Sequence, residues 1–450
     1  MSVAARVILS AVLCLGFAAL AAAAGPAGAP DVLDVAPVWS GHPVRFALLT
    51  CGPRQFVAFY DAERQMTVAS RKTGEAGWHF VKLPTKVGWD SHNSIVMAAD
   101  DEGLLHLSGN MHCVPLLYFR TENPYDIDTL RQVQGMVGRE EKSCTYPAFL
   151  RGAKNELIYT YRDGRSGNGS QILNVWDPKT HAWGRLLDQP LFSGEGRMNA
   201  YFRGPVRGPD GWFHVIWVWR NSPDCATNHD LSYARSRDLV RWETSAGKPL
   251  ALPITVRTGE IVDPVPPKGG IINGGAALGF DSRGRPVISY HKYDEQGKTQ
   301  AYNARLEDGG WKIYQASRWN YRWEFSGGGS IHVEVSVRPI SVGPAGRLVQ
   351  PYSNEKEGSG AWLLDEATLK PVGAAPPTKP SPRAALPQEL RKAAGDTPGM
   401  QVNWAEDAGA GDEKGVTYRL RWETLGANRD RPRETAPPPT MLRLVRARAE

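Results

Sequence analysis

The sequence predicts an all-β chain, folded as a seven-bladed β-propeller of four-stranded blades, on three observations. Turn formers and aromatics are abundant, with 47 glycines, 34 prolines and 15 tryptophans in 450 residues, a balance that favours sheet over helix. A turn signal followed by an alternating strand recurs along the chain, at a spacing of roughly 50–75 residues, the range of propeller blades. A second signal follows most copies: a short strand, a turn, then tryptophan.

In order, the first signal appears at Gln55 to Tyr60 and at Asp101-Glu102-Gly103 before Leu104 to Ser108. It returns at Lys154-Asn155-Glu156 before Leu157 to Tyr161, and at Pro209-Asp210-Gly211 before Trp212 to Val218. The last copies are Arg283-Gly284-Arg285 before Pro286 to His291, and Ala345-Gly346-Arg347 before Leu348 to Tyr352. The second signal runs from Leu173 through Trp183, Tyr233 through Trp242 and Tyr302 through Trp311. Six blades are visible in this way. A seventh is expected from Val38–Leu49 together with Val416–Trp422 and Met441–Val445, with the Pro/Ala-rich stretch near 370–400 as a loop. No helix-period segment of useful length follows the N-terminal region.

At the N-terminus, Arg6 precedes an apolar run from Val7 to Ala23, and Ala22-Ala23-Ala24 offers small residues for cleavage. Residues 1–24 therefore read as a secretory signal. Residues 25–450 read as one propeller domain, secreted or periplasmic, monomeric and not inserted in a membrane, because no other apolar stretch approaches membrane length. The net charge of +6 is modest, and no dense Lys/Arg run points to nucleic acid. A mildly basic exported protein suits an anionic ligand. Cys51, Cys113, Cys144 and Cys225 remain after the signal; Cys113 and Cys144 fall on one predicted rim, as a disulfide or as two buried thiols.

The candidate site comes from blade geometry. The innermost strand starts at one axial face and the second strand returns to it, so residues before the first and after the second strand share a rim. Blade by blade this pairs His92 with His112, Tyr146 with Arg162, Tyr201 with Arg220, Asn273 with His291 and Ser330 with Asn354. A lone tyrosine, arginine or histidine at such a place is ordinarily packing or surface charge; the recurrence is what marks a ligand site. His106 and His214 alternate within strands and read as structural. Glycoside hydrolysis needs paired carboxylates, and no compelling pair emerges from Asp90 and Asp163. Serine hydrolysis lacks a nucleophile elbow. Uronate β-elimination fits better: it needs a cation on the carboxylate, a base for the C5 proton and an acid for the leaving oxygen.

The chain resembles the BNR-repeat family of seven-bladed propellers that includes ulvan lyases and related rhamnose–glucuronate enzymes. The resemblance rests on Asp90-Ser91-His92-Asn93, Thr145-Tyr146-Pro147, Tyr161-Arg162-Asp163-Gly164, Thr227 to Ala234, Tyr290 to Asp294, and Tyr321-Arg322-Trp323 with Gly327-Gly328-Gly329. It implies a polysaccharide lyase with His92, His112, Tyr146 and Arg162 as catalytic residues and Tyr201, Arg220 and His291 as substrate-binding ones. By the same resemblance Arg162 neutralises the uronate carboxylate, Tyr146 and His92 divide the base and acid roles, and His112 positions the substrate. No cofactor is required for that chemistry. Separately, Cys225 and His229 are four residues apart, and His291 can approach from the next blade, a spacing that suits a structural zinc. Packed thiol and hydrogen-bonded histidines are the alternative. Two other activities suit the same scaffold: an α-L-rhamnosidase-type hydrolase and a non-catalytic glycan-binding propeller. A sialidase fits poorly, because Ser236 to Trp242 lacks the glycine of a strict Asp-box.

Overall fold

Strands stacked in separate sheets make up the molecule, as a computed structural model describing residues 31–343, 346–376, 386–394 and 397–448. The expected signal, 1–24, and part of the Pro/Ala-rich stretch lie outside the described residues. Within that stretch the described part holds the strand Pro371–Ala374 and one helical turn, Gln388–Arg391.

Seven sheets are found among the described residues, each antiparallel through its main strands and most in sequence order. The second strand of each of the first six is a turn-plus-strand repeat of the sequence: Arg54–Tyr60, Leu105–Ser108, Leu157–Arg165, Phe213–Arg220, Pro286–Tyr293 and Leu348–Asn354. The tryptophan-terminated segments supply outer strands: Trp183, Trp242 and Trp311 each pair back onto the third strand of their sheet. Strand numbers are less regular than expected, because the sheets hold four to six strands. The extra ones are short segments such as His112–Val114 and Glu260–Asp263 that pair onto a neighbouring sheet's strands.

Alternation explains how the sheets stack. Along Phe213–Arg220 every residue is buried. Val215, Trp217 and Trp219 pack with Ile158 and Leu173 of the preceding sheet. Ile216 and Val218 pack with Ile288 and Tyr290 of the following one. A strand whose two faces both meet another sheet loses its polar face, as the period of two requires. Each such Leu, Ile or Val contributes about 1.5–3 kcal/mol of burial. His106 and His214, also fully buried on such strands, are held by Tyr118 and Tyr233.

The closing sheet differs from expectation. Asp31–Val38 pairs with Thr440–Arg448, which pairs in turn with Val416–Leu425 and Met400–Glu406. Ala47–Gly52 belongs to the first sheet instead, pairing with Arg54–Tyr60. The short turn at Gly52-Pro53 makes that hairpin local, so the closing role passes to the segment upstream. The two ends of the described chain are thereby joined.

Candidate functional site

Two short turns deliver the histidines. Asp90 accepts the His92 backbone N–H at 2.9 Å, an Asx turn that fixes the Asp90-Ser91-His92 bend, and Tyr60 holds the next carbonyl, of Asn93, at 2.6 Å. His112 does not stay with its own hairpin. The segment His112–Val114 crosses to the next sheet, where His112 pairs with Thr145. That crossover places the His112 ring on the His92 ring, with centroids 4.2 Å apart.

Tyr146 reaches the pair through a bulge. The register of Cys144–Arg151 against Leu157–Arg165 slips between Thr145 and Ala148, and Tyr146 adopts φ 57° immediately before Pro147. A left-handed, non-glycine residue before proline is strained by about 1–3 kcal/mol, and a bulge re-aims its side chain. The Tyr146 ring stands 5.8 Å from His92 and 6.3 Å from Tyr201. Cys113, at φ 56°, is a second left-handed residue at the same corner.

Asp90 organises the charge. Its carboxylate accepts from Nδ1 of His92 at 2.7 Å and from Nδ1 of His112. The three residues offer ligand atoms within 4.8 Å of one another, a spacing at which they could hold a metal ion. A second carboxylate, Asp430, lies 3.3 Å from His92 Nδ1. Burial opposes charge on His92, but the bonds to Asp430 and Asp90 outweigh it and its pKa is raised. At His112 burial is likewise overcome, chiefly by Asp90, and the imidazolium persists up to about 9. Burial would raise both carboxyls, yet the imidazoles hold Asp90 and Asp430 well below the usual carboxylate range. Burial also works against the Cys113 thiolate, but His112 and Arg162 bring its pKa down to about 7. Tyr146 moves the other way: burial and the neighbouring Tyr201 push its phenol up, against Arg162 and Arg220.

The two histidines, Cys113 and both tyrosines line a cavity of about 590 Å³, with the two carboxylates outside its lining. Its wall carries His92, His112, Cys113, Tyr146 and Tyr201, with Arg165, Arg203 and Arg220 as cations and no carboxylate side chain. Gly328, Gly329 and Ser330 form the facing wall. Tyr146 is 38 % exposed, whereas Arg162 is 1 % exposed and lies behind the wall. Arg162 donates to Thr145 at 2.9 Å, to Cys113 Sγ at 3.3 Å and to Tyr201 at 3.5 Å, and sits 5.0 Å from the Tyr146 ring centre.

The structure thus brings His92, His112, Tyr146, Arg162, Tyr201 and Arg220 together, with two corrections, at Arg162 and at His291. Arg162 backs the tyrosines instead of facing the cavity, so it does not reach a ligand carboxylate directly. Arg220 is 7 % exposed and its guanidinium is tied to Ser222, Asn273 and Pro223. His291 is 1 % exposed beneath the floor, covered by Gly275 and by Trp323, whose ring is 5.3 Å away. Among the described residues neither of its ring nitrogens has a hydrogen-bond partner, and burial lowers its pKa to about 4.

The Cys225–His229 pair does not gather as a metal group among the described residues. His229 uses its two ring nitrogens on Asp230 and Asn221, both at 2.9 Å, and Cys225 packs with Ile272 and Trp323. Nor is there a Cys113–Cys144 disulfide: all four described cysteines are free. Cys144 points into the core beside Tyr159 and Tyr161, while Cys113 turns to Arg162. Four residues went unassigned in the sequence. Asp90 carried a signal, two positions before His92. Arg165 ends the strand Leu157–Arg165 and Arg203 lies within Asn199–Arg207 beside a register slip, positions whose direction the repeat does not give. Asp430 carried none.

The model of one family, described as a BNR repeat-containing family member, matches residues 54–319. No curated protein matches the chain. Among solved structures, the polysaccharide lyase Uly1 superposes with a TM-score of 0.60 at 13 % identity, covering 93 % of this chain and 99 % of that one. A PL25 ulvan lyase gives a TM-score of 0.55 at 14 % identity over 88 % and 96 %. The same type of lyase bound to -[GlcA(1-4)Rha3S]- gives 0.54 at 13 % identity over 88 % and 96 %. At these identities the likeness is one of fold.

Proposed function

The chain belongs to the BNR repeat-containing family, and on that premise we propose that it is an exported polysaccharide lyase, built as a seven-bladed propeller, that cleaves a uronate-containing glycan by β-elimination. The observation that carries the reading is the Asp90-held histidine pair facing Tyr146 across a cavity whose charged wall is cationic. A rhamnose–glucuronate polymer of the ulvan type is the substrate class in view, since the fold is shared with a lyase bound to such a fragment.

The roles follow from protonation and position. Asp90 takes the Nδ1–H of His92, which leaves Nε2 as the basic nitrogen; that atom has no hydrogen bond within the described residues. His92 is therefore the base for the C5 proton. His112, cationic up to about 9, with Arg165 and Arg203 at the mouth, neutralises the uronate carboxylate and so acidifies C5–H. Tyr146, held as a phenol, donates its proton to the leaving O4. The C5–H and C4–O4 bonds break, the C4=C5 bond forms, and solvent later returns the proton from His92 to Tyr146. Arg162 stabilises the tyrosinate as it forms, from behind the ring. Tyr201, hydrogen-bonded to Ser166 at 2.7 Å, supports Tyr146 and offers an edge to the sugar.

The test is incubation with a panel of ulvan and rhamnose–glucuronate glycans, following the ultraviolet absorbance of the unsaturated uronate. Wild type is expected to produce it and Tyr146→Phe to lose it while still binding glycan. Release of free rhamnose without that chromophore would point to a hydrolase, and binding without turnover to a lectin-like propeller.

A further inference from the structure

Asp430 stands in the loop between Val416–Leu425 and Thr440–Arg448, two strands of the closing sheet. Its side chain leaves that sheet and ties two other loops together. One oxygen accepts from the Ser91 N–H at 3.1 Å and the Ser91 hydroxyl at 2.7 Å. The other accepts from the Ser330 N–H at 2.9 Å and lies 3.3 Å from His92 Nδ1. Arg429 beside it donates to the carbonyls of Ser326 at 2.9 Å and Gly328 at 3.2 Å. The approach is close enough to demand glycine: a Cβ at Gly329, where φ is 72°, would lie 2.6 Å from the Arg429 carbonyl oxygen. Asp430 itself is left-handed, at φ 57°. A strained residue making four contacts to two foreign loops is over-determined in its position.

We propose that Asp430 is a positioning residue for the elimination: it fixes the His92 ring against Asp90 and pins the glycine-rich wall of the cavity, so that the site is complete only when the closing sheet is in place. This rests on the lyase reading for its catalytic consequence, but not for its effect on His92. The titratable and charged groups facing His92 are Asp90 from its own turn, His112 from the crossover strand, Tyr146 from the bulge and Asp430 from the closing loop. Of these, His112 disfavours charge on His92 and the two carboxylates favour it. Two carboxylates sharing the Nδ1–H hold one tautomer and one ring orientation, and losing either weakens both.

The experiment compares wild type, Asp430→Asn and Asp430→Glu in the full chain, by imidazole NMR titration with His92→Gln used to assign the signal, and by pH profiles of kcat and KM. For Asp430→Asn the His92 midpoint is expected to fall by about one unit, the loss of one nearby opposite charge. The acidic limb of kcat should follow it, and the plateau should drop on the order of ten- to a hundredfold, with KM changing far less. Asp430→Glu should restore part of both. An unchanged His92 midpoint in folded Asp430→Asn overturns the proposal, as does a drop in kcat that leaves the limb where it was. If wild type turns over no glycan, the lyase reading fails, while the NMR titration still decides what Asp430 does to His92.

Discussion

The rings of His92 and His112 stack 4.2 Å apart although one precedes the second sheet and the other is paired into the third. Asp90 bridges the two rings and Asp430 adds a second carboxylate at His92, which offsets the repulsion between two imidazoles that both tend toward the cationic form. The pair is a shared device, with one ring held as a cation and the other oriented as a base.

The pH profile follows from this division. His92 must be neutral to accept a proton, so kcat should rise as pH passes upward through its raised pKa. His112 must be charged, so activity should fall again as pH passes about 9. His112→Ala should lower kcat/KM and remove the limb near 9. A profile without a fall near 9 in wild type would remove His112 from the carboxylate role.

Truncating the proton-transfer groups should cost turnover more than binding. His92→Gln and Tyr146→Phe are each expected to lower kcat by roughly 10²–10⁴ while glycan affinity stays within a few-fold. Initial rates together with calorimetric binding to the inactive variants separate the two effects.

Thiol reactivity should be sharply divided. Cys113, with its pKa lowered to about 7, should alkylate near neutral pH, whereas burial holds Cys51 up at about 11 and Cys144 up at about 12. Peptide mass spectrometry after brief iodoacetamide treatment should find the label on Cys113 first. Denaturation should then free the remaining thiols without reductant, and a reductant-dependent pair would restore the disulfide.

His291 should make the fold acid-sensitive. Its folded pKa, about 4, lies below the unfolded value of 6.5, so the unfolded chain binds the extra proton in between. Stability is full above 6.5 and declines as pH falls toward 4, by about 3 kcal/mol for a shift of this size. His291→Leu should flatten that part of the denaturation-midpoint curve. An identical slope in wild type and variant would place the acid sensitivity elsewhere.

Chelation should leave turnover unchanged. Nδ1 of both histidines faces Asp90 in hydrogen bonds, and the proton transfers assigned to His92 and Tyr146 need no Lewis acid. Loss of activity on dialysis against EDTA, recovered with a divalent cation, would give that cluster a different role.

Much of the fold was legible because it repeats. Alternation and turn signals placed the second strand of six sheets, and strand ends put His92, His112, Tyr146, Arg162, Tyr201 and Arg220 at one rim. What the repeat could not convey is depth and direction. Arg162 and His291 occupy rim positions by register, yet a bulge at Tyr146 covers the first and Gly275 and Trp323 cover the second. Of the two alternatives for Cys113 and Cys144 the free thiols hold, since a left-handed Cys113 turns its thiol toward Arg162. Asp430 was invisible because it is 339 residues from Ser91, on a loop with no repeat equivalent. The closing strand was misplaced by its neighbour, a local hairpin that takes Ala47–Gly52 into the first sheet.

Mass analysis of the cleavage products of a rhamnose–glucuronate oligosaccharide of known structure tests the central claim most directly. Elimination predicts two fragments whose masses sum to that of the substrate, one of them carrying the unsaturated uronate, and predicts none from Tyr146→Phe. Fragments that together exceed the substrate by one water would show hydrolysis and contradict the account.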